Sequence, residues 1–305
     1  MRRRYDFLTL CKTPELIVQV TLLPVEKFGM DAAILFSDLL LPLEAMGLEV
    51  AYIKGEGPVV RGFDDEGSPE RLQPLDPEAF SFLTQAIREI RRLLPDGVPL
   101  IGFAGAPFTL LSYMIEGGGS RDFSRTRAFM YTAPERWHQL MGKVTEAVIT
   151  SLDLQIEAGC QAIQLFDSWA GCLPPSAYRE FVLPYTRQVF DGVGERVPRI
   201  HFSTGTAGIL ELIKEAGGDV IGVDWRTDLG EAWRRIGYGV GIQGNLDPAV
   251  LLGPKELIER EAKRVLEAAG GRPGHIFNLG HGVLPQTPEE NVRFLVEGVK
   301  EWSRK

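Results

Sequence analysis

Seven short apolar runs recur along the sequence, and the segments between them have the composition of helices. The runs cover residues 31–38, 99–107, 162–169, 199–204, 220–225, 240–245 and 275–282. They do not alternate apolar with polar residues, which is typical of parallel strands buried on both faces. Strand alternating with helix, without a linker or a low-complexity segment, predicts one α/β domain over residues 1–305.

Helix start signals stand between these runs. Thr13-Pro14-Glu15, Asp76-Pro77-Glu78 and Thr287-Pro288-Glu289 each combine a capping side chain, a proline at the first helical position and an early acid. Ala133-Pro134-Glu135 has the same proline and acid but lacks the capping side chain. Residues 52–77 do not fit the repeat of strand and helix, and we interpret them as an excursion that can hold a short hairpin.

The number of strands is one short of a complete barrel. A (β/α)8 TIM barrel has eight parallel strands in about 250 residues, whereas seven can be recognised in this sequence. Three explanations stay open at this point: an unrecognised strand, an open sheet, or a chain that starts after the first strand.

Composition and charge argue against several classes of protein. The best candidate for a membrane helix is interrupted by Asp38 and Pro42, so no apolar run reaches the necessary length of about 18 residues. The net charge of -8, without a basic tract, argues against nucleic-acid binding. The N-terminus lacks the apolar core of a secretion signal. Cys11, Cys160 and Cys172 form no CxxC pair, so we expect reduced thiols and a cytoplasmic protein.

Polar side chains stand at the ends of six of the runs. They are Asp38, Tyr113, Ser168, Asp224, Asn245 and His281. Because a barrel gathers the carboxyl ends of its strands at one face, these side chains can converge on one cavity. Each also has an ordinary structural explanation, such as a helix cap, a core tyrosine or a structurally satisfied histidine. Asp38 is the most demanding, since an unpartnered buried carboxylate costs several kcal/mol.

Other candidate sites are weaker. The segment EGGGS (116–120), with three consecutive glycines, can offer backbone N–H groups to an anion, but it lies in no phosphate-binding fingerprint and is more typical of a flexible loop. His201-Phe202-Ser203 lacks the cysteine of an H-x-C metal motif. No nucleophile elbow surrounds Ser168. Spacing and composition therefore predict a barrel-like enzyme with a polar mouth and leave its reaction open.

Six segments together resemble the uroporphyrinogen decarboxylase family. They are DAAILFSDLLLPLEAMG (31–47), VPLIGFAGAPFTLLSYMIEGGGS (98–120), QLFDSWAGCL (164–173), GVDWR (222–226), IQGNLDP (242–248) and NLGHGVLPQTPEENV (278–292). The resemblance implies a (β/α)8 barrel that removes CO₂ from the four acetate side chains of uroporphyrinogen III. The product would be coproporphyrinogen III, on the route to haem and chlorophyll. The resemblance also implies a homodimer that uses no cofactor and no metal.

The same resemblance implies roles for particular residues. Asp38 corresponds to the aspartate that accepts hydrogen bonds from the pyrrole N–H groups, and Tyr113 to the tyrosine near the reacting acetate. Ser168 and His281 correspond to residues that bind substrate carboxylates, and His281 is also a candidate proton donor. The remaining correspondences are cleft-lining residues, Phe103 and Phe166, and backbone close to the ring at Gly105 and Ala106.

The sequence departs from the family pattern at its N-terminus. The family begins with a strand and an arginine-rich M-R-Q-A-G-R-Y segment that binds substrate carboxylates, and neither is recognised here. Arg2, Arg3 and Arg4 lack the context of that motif and receive no role. We expect a start methionine placed too late.

Two alternatives to an active decarboxylase stay open at this stage. One is an N-terminally truncated, inactive paralogue that still binds porphyrinogen. The other is a zinc-dependent corrinoid methyltransferase of the same superfamily, which Ser203 disfavours because it stands where that group has a cysteine ligand.

Overall fold

A computed structural model describes residues 4–53, 55, 57–63 and 68–304. Its strands in chain order are β1 (Ala33–Ile34), β2 (Glu49–Ile53), β3 (Gly57–Arg61), β4 (Leu100–Gly105), β5 (Ala162–Asp167), β6 (Arg199–Ser203), β7 (Val220–Gly222), β8 (Gly241–Leu246) and β9 (His275–Leu279). Strands β1 and β4 to β9 form one parallel sheet in that sequential order, and β2 pairs with β3 as an antiparallel hairpin. The seven predicted strands are thus confirmed, and so is a hairpin, although its first strand begins at Glu49, before the segment in which it was predicted.

Two helices precede the first strand of the parallel sheet, and the others follow its strands along the chain. In chain order they are α1 (Phe7–Lys12), α2 (Pro14–Phe28), α3 (Leu41–Ala45), α4 (Ser81–Leu93), α5 (Pro107–Glu116), α6 (Ser124–Thr132), α7 (Pro134–Ala158), α8 (Pro175–Phe181), α9 (Leu183–Val193), α10 (Leu210–Ala216), α11 (Leu229–Ile236), α12 (Lys255–Ala269) and α13 (Glu289–Trp302). No helix among the described residues combines the length and apolar character that a membrane span requires.

The predicted helix starts lie within a few residues of the observed ones, but their capping is partly different. Asp76 accepts a hydrogen bond from the backbone N–H of Glu78 at 3.0 Å, as expected of a capping residue, although the turn that follows is a 3₁₀ turn leading into α4. Thr13 does not cap α2, because its hydroxyl donates to the carbonyl of Thr9 in the preceding helix at 2.8 Å. Thr287 lies one residue too early, since Pro288 occupies the capping position of α13.

Helix α7 shows how the helices cover the sheet. Its buried positions include Trp137, Leu140, Met141, Val144 and Val148, which recur every three to four residues on one face. This face packs against β4 and the neighbouring helices and belongs to a core that extends along most of the chain. Burial of such a face, rather than helix propensity, supplies most of the stability of a helix in a protein.

The parallel sheet is open. Among the described residues, β1 pairs with β4 alone and β9 pairs with β8 alone, so the two outer strands are not joined to each other. Each outer strand carries an exposed isoleucine, Ile34 at 46% and Ile276 at 42% exposure. The sheet therefore has the strand order of a barrel with seven strands, as the sequence count indicated.

Candidate active site

Asp38 lies four residues beyond the end of β1, and both of its carboxylate oxygens have a donor. Oδ1 accepts the backbone N–H of Leu40 at 2.8 Å, which forms a local turn just before α3. Oδ2 accepts the hydroxyl of Tyr52, which lies on hairpin strand β2. A role for Asp38 in the turn before α3 therefore explains the hydrogen bond to Oδ1 only. The hydrogen bond to Oδ2 comes from the hairpin, which is a separate element.

The surroundings of Asp38 favour its neutral form more than water does. Burial raises the pKa of this carboxyl, and the negative charge of Glu44 on α3 adds to the increase. The hydrogen bonds from Tyr52 and Leu40 act in the opposite direction, because they stabilise the charged form. Asp38 is thus a partly buried carboxylate whose ionisation depends on its donors.

Helix α5 brings Tyr113 to the same place. The helix starts with Pro107 at its first position and ends at Gly117 in the left-handed conformation, which glycine adopts without strain. Burial raises the pKa of Tyr113, and the nearby charge of Asp38 raises it further. The Tyr113 ring also packs edge-to-face on Trp169, with 5.7 Å between centroids. The structure therefore brings Asp38, Tyr113 and the segment after β5 together.

Aromatic side chains lie beside one another on the strands that lead to this group. Phe103 of β4 contacts Phe166 of β5 at 5.6 Å between ring centroids, and Phe166 contacts Phe202 of β6 at 5.7 Å. Ala106 donates its backbone N–H to the carbonyl of Phe166 at 2.8 Å. A Cβ at Gly105 would lie 2.7 Å from the Leu110 side chain, so the Leu110 side chain of α5 packs directly on the strand end.

Ser168 follows β5 directly and is fixed through its backbone. Its carbonyl accepts the hydroxyl of Thr204 at 2.6 Å, which ties the ends of β5 and β6 together. The Ser168 hydroxyl itself forms no hydrogen bond with the described residues, so this group remains available to a ligand.

Asp224 and Asn245 have structural partners. The Asp224 carboxylate accepts the backbone N–H of Gly205 at 2.8 Å and the guanidinium of Arg226 at 2.6 Å. The Asn245 amide donates to the carbonyls of Asp224 at 2.8 Å and Thr227 at 2.6 Å. These two side chains hold the ends of β7 and β8 in place, so for them the structural explanation is sufficient.

His281 belongs to a group formed with Trp225 and Arg226 on the segments after β9 and β7. Its exposed imidazole meets the Trp225 ring edge-to-face at 5.9 Å. The Arg226 guanidinium lies 4.0 Å from the Trp225 ring centroid, a cation–π distance. Gly280 makes this contact possible, because a Cβ there would overlap the backbone nitrogen of Trp225.

A family model for uroporphyrinogen decarboxylase matches residues 1–302 of the chain. The chain belongs to the uroporphyrinogen decarboxylase family. A relative named uroporphyrinogen decarboxylase from Carboxydothermus hydrogenoformans is 51% identical over 308 residues, which cover 99% of this chain and 87% of that protein. One of the same name from Thermus thermophilus is 51% identical over 305 residues, covering 99% of this chain and 88% of the relative.

Solved structures agree with the barrel architecture of the uroporphyrinogen decarboxylase family. A methyltransferase from Methanosarcina mazei has a TM-score of 0.81 and 25% identity, covering 95% of this chain and 86% of its own. A B12-independent methionine synthase from Shewanella sp. has a TM-score of 0.61 at 9% identity, again over 95% of this chain and 86% of its own. The second of these likenesses concerns the fold alone.

The residues considered for a metal site are used structurally in this member of the uroporphyrinogen decarboxylase family. His201 is fully buried, its Nδ1 faces the carbonyls of Ile213 at 3.2 Å and Gly217 at 3.3 Å, and burial lowers its pKa to about 4. Ser203 shares a hydrogen bond with Thr206 at 2.7 Å. Within the described parts of the chain, no group of three or more His, Cys, Asp or Glu side chains could hold a metal ion.

The glycine-rich segment 116–120 contacts the hairpin and holds it in place. The carbonyl of Gly117 accepts the backbone N–H of Val60 at 3.0 Å, and Gly118 forms a β-bridge with Val59. A Cβ at Gly118 would approach the carbonyl oxygen of Pro58 to 2.8 Å, so the close contact requires glycine. In this arrangement the segment supports the strand pair that carries Tyr52.

Sequence reasoning missed Tyr52, Trp169 and Arg226. Tyr52 lies in the segment interpreted as an excursion. Nothing in its neighbouring residues indicates a hydrogen bond to Asp38, 14 residues earlier in the chain. Trp169 lies in the segment 164–173 and Arg226 in the segment 222–226, both of which resemble the family. Their contacts with other side chains could not be read from the sequence. Arg2 and Arg3 lie outside the described residues.

Proposed function

We propose that this chain decarboxylates the four acetate side chains of uroporphyrinogen III and gives coproporphyrinogen III. The single observation that carries the proposal is the Asp38 carboxylate, held between two donors in a partly buried position beside Tyr113. In a family of uroporphyrinogen decarboxylases, such a group is suited to meet the N–H groups of a folded tetrapyrrole.

The chemistry needs an electron sink, and the pyrrole ring supplies it. Protonation of the pyrrole α-carbon, next to the ring carbon that carries the acetate, makes the ring cationic. The C–C bond to the carboxylate then breaks, CO₂ leaves, and the electron pair of that bond neutralises the ring. The remaining methylene takes up a proton to become a methyl group as the α-carbon loses its own. A fixed carboxylate beneath the ring stabilises the cationic stage, as preorganised electrostatics require.

We assign the other predicted residues to substrate binding. Ser168 offers a free hydroxyl, and His281, whose ring packs against Trp225, offers a ring nitrogen to the carboxylates of an octaanionic substrate. His281 is also our candidate for the proton donor. The apolar surfaces of Phe103 and Phe166 would line the cleft, and the backbone at Gly105 and Ala106 would approach the ring.

The enzyme class and the cellular setting follow as parts of the same proposal. A reaction that releases CO₂ without a hydrolytic or redox partner makes the enzyme a carboxy-lyase. We infer a cytoplasmic homodimer that binds neither nucleic acid nor membrane. Light scattering coupled to size-exclusion chromatography would give a mass of about twice 33.8 kDa if the dimer forms.

The deciding experiment is an anaerobic assay of the 305-residue chain on reduced uroporphyrinogen III. Products are oxidised and separated by the number of carboxyl groups, and we expect porphyrins with seven, six, five and four. A folded chain that forms none of these products would contradict the proposal. Binding without turnover, measured by quenching of tryptophan fluorescence with the same substrate, would instead identify an inactive porphyrinogen-binding relative.

A further inference from the structure

Tyr52 is bound to Asp38 although it lies outside the segments that carry the family resemblance. Its hydroxyl donates to Oδ2 of Asp38, and its ring packs edge-to-face against Phe7 of α1 at 4.5 Å between centroids. The hairpin that presents Tyr52 is held by the β-bridge between Val59 and Gly118, directly after α5. Three separate elements therefore fix the phenol in front of the carboxylate.

We propose that Tyr52 is a positioning residue for the decarboxylation: its hydroxyl keeps Asp38 ionised and fixes the orientation of the carboxylate toward the substrate. The inference rests on the proposed function, because it takes Asp38 as the group that meets the pyrrole N–H groups. It adds a residue to which the family resemblance assigned no role.

The hydrogen-bonding capacity of the carboxylate leaves room for both donors and substrate. An ionised carboxylate accepts about four hydrogen bonds. The described structure fills two positions, one on Oδ1 from Leu40 and one on Oδ2 from Tyr52. About two positions remain for pyrrole N–H groups. With one donor on each oxygen, rotation of the carboxylate would break an existing bond, so its plane is fixed before substrate arrives.

The phenol remains a donor throughout the working range of pH. Burial raises the pKa of Tyr52, and the adjacent charge of Asp38 raises it further, so its proton stays in place. The other ionisable groups near Asp38 are Glu44 on α3 and Tyr113 on α5. Glu44 is itself paired with Lys12 of α1 at 2.5 Å, and Cys11 on the same helix is near Tyr52. Of these groups, Tyr52 is the one that donates to Asp38.

The first test measures Asp38 directly and needs no substrate. The full chain is labelled with ¹³C at the aspartate carboxyl carbons, the Asp38 signal is assigned with Asp38→Asn, and its titration is followed by NMR. Tyr52→Phe should move the midpoint of Asp38 upward by about one pH unit, since a lost hydrogen bond to the charged form favours protonation. Tyr131→Phe is the matched control, because that tyrosine is 53% exposed and should leave the midpoint unchanged.

The second test uses turnover of uroporphyrinogen III. Tyr52→Phe should lower kcat about tenfold and shift the acidic limb of the pH profile upward, with KM changed less than about threefold. An unchanged Asp38 midpoint would overturn the proposal. So would a lower KM with undiminished kcat, since the phenol would then be competing with substrate. If wild type does not turn over, the proposed function fails, whereas the NMR result still decides whether Tyr52 controls the ionisation of Asp38.

Discussion

At the level of single residues, the central fact is that Asp38 is neither an ordinary helix cap nor an unpartnered charge. One oxygen is occupied by a local turn and the other by a phenol from a hairpin. Burial still raises the pKa of the carboxyl despite these donors. The site therefore keeps a group whose charged form is stabilised further by additional N–H donors, which is what the proposed substrate supplies.

Replacement of this charge should remove activity without unfolding the protein. Asp38→Asn keeps the shape but cannot stabilise a cationic ring, so we expect turnover to fall by about 10²–10³-fold. The free energy of unfolding should change by less than about 1 kcal/mol, because a neutral amide escapes the burial penalty of the charge. Turnover is measured by carboxyl-number chromatography and folding by circular dichroism. Wild-type turnover in this variant would remove the role assigned to Asp38.

Tyr113 should matter less than Asp38. Tyr113→Phe leaves the carboxylate and the packing against Trp169 in place and removes only the hydroxyl. We expect kcat/KM to fall about tenfold or less, which corresponds to one hydrogen bond of about 1.4 kcal/mol. Steady-state kinetics of the two variants under the same conditions give the comparison. A larger loss for Tyr113→Phe than for Asp38→Asn would reverse this order.

At the level of elements, the sequence predicted the strands and helices, which depend on local residue patterns. It did not predict side-chain contacts between elements that are distant along the chain. All seven strands of the parallel sheet were recognised, because buried parallel strands form apolar runs. Asp38 and Asp224 both follow such strands, and nothing in their local sequence separates them. The difference lies in their partners, since Asp224 is bound by Arg226 and Gly205, whereas Asp38 is bound by Tyr52.

The hairpin shows the same limit. Residues 52–77 were expected to hold a short hairpin, and strands β2 and β3 do form one, although it begins three residues earlier, at Glu49. Its docking on Gly117 and Gly118, and the resulting contact of Tyr52 with Asp38, depend on how three elements meet in space. The glycine-rich segment was interpreted as a flexible loop, and the strand that docks on it could not be deduced from the segment itself.

The loop that carries His281 offers a matched pair of glycines for a test. A Cβ at Gly280 would overlap the Trp225 backbone, whereas nothing lies within 4 Å of a Cβ at Gly282. Gly280→Ala should therefore destabilise the protein by about 1–3 kcal/mol and displace His281. Gly282→Ala should stay within about 0.5 kcal/mol of wild type. Urea unfolding and KM for uroporphyrinogen III measure the two effects, and equal behaviour of both variants would contradict the steric argument.

At the level of the whole molecule, Asp167 connects stability to pH. This residue ends β5 and is fully buried, with Oδ1 accepting the Thr109 hydroxyl at 3.2 Å and Oδ2 unpartnered among the described residues. Burial raises its pKa to about 7 from 3.8. The folded state then binds a proton that the unfolded state has released between these values, so this group's contribution to stability falls as pH rises through that window.

The variant Asp167→Asn isolates this contribution. His201 acts in the opposite direction, because its lowered pKa makes the unfolded state bind more protons below about pH 6.5. Because His201 is present in both proteins, its contribution cancels in the difference between their free energies of unfolding. We expect the variant to gain stability relative to wild type as pH rises from 5 to 8, by up to about 3 kcal/mol. Urea unfolding at both pH values measures it, and a difference independent of pH would show that Asp167 does not titrate in this range.

The two free edges of the parallel sheet affect how the protein behaves in concentrated solution. Strands β1 and β9 each present backbone groups that have no neighbouring strand among the described residues, beside the exposed side chains of Ile34 and Ile276. Unpaired edges of this kind act as templates for strands of other molecules. Association of folded molecules through these edges should therefore limit the concentration that the protein can reach. Turbidity should grow with time and with protein concentration while each molecule remains folded.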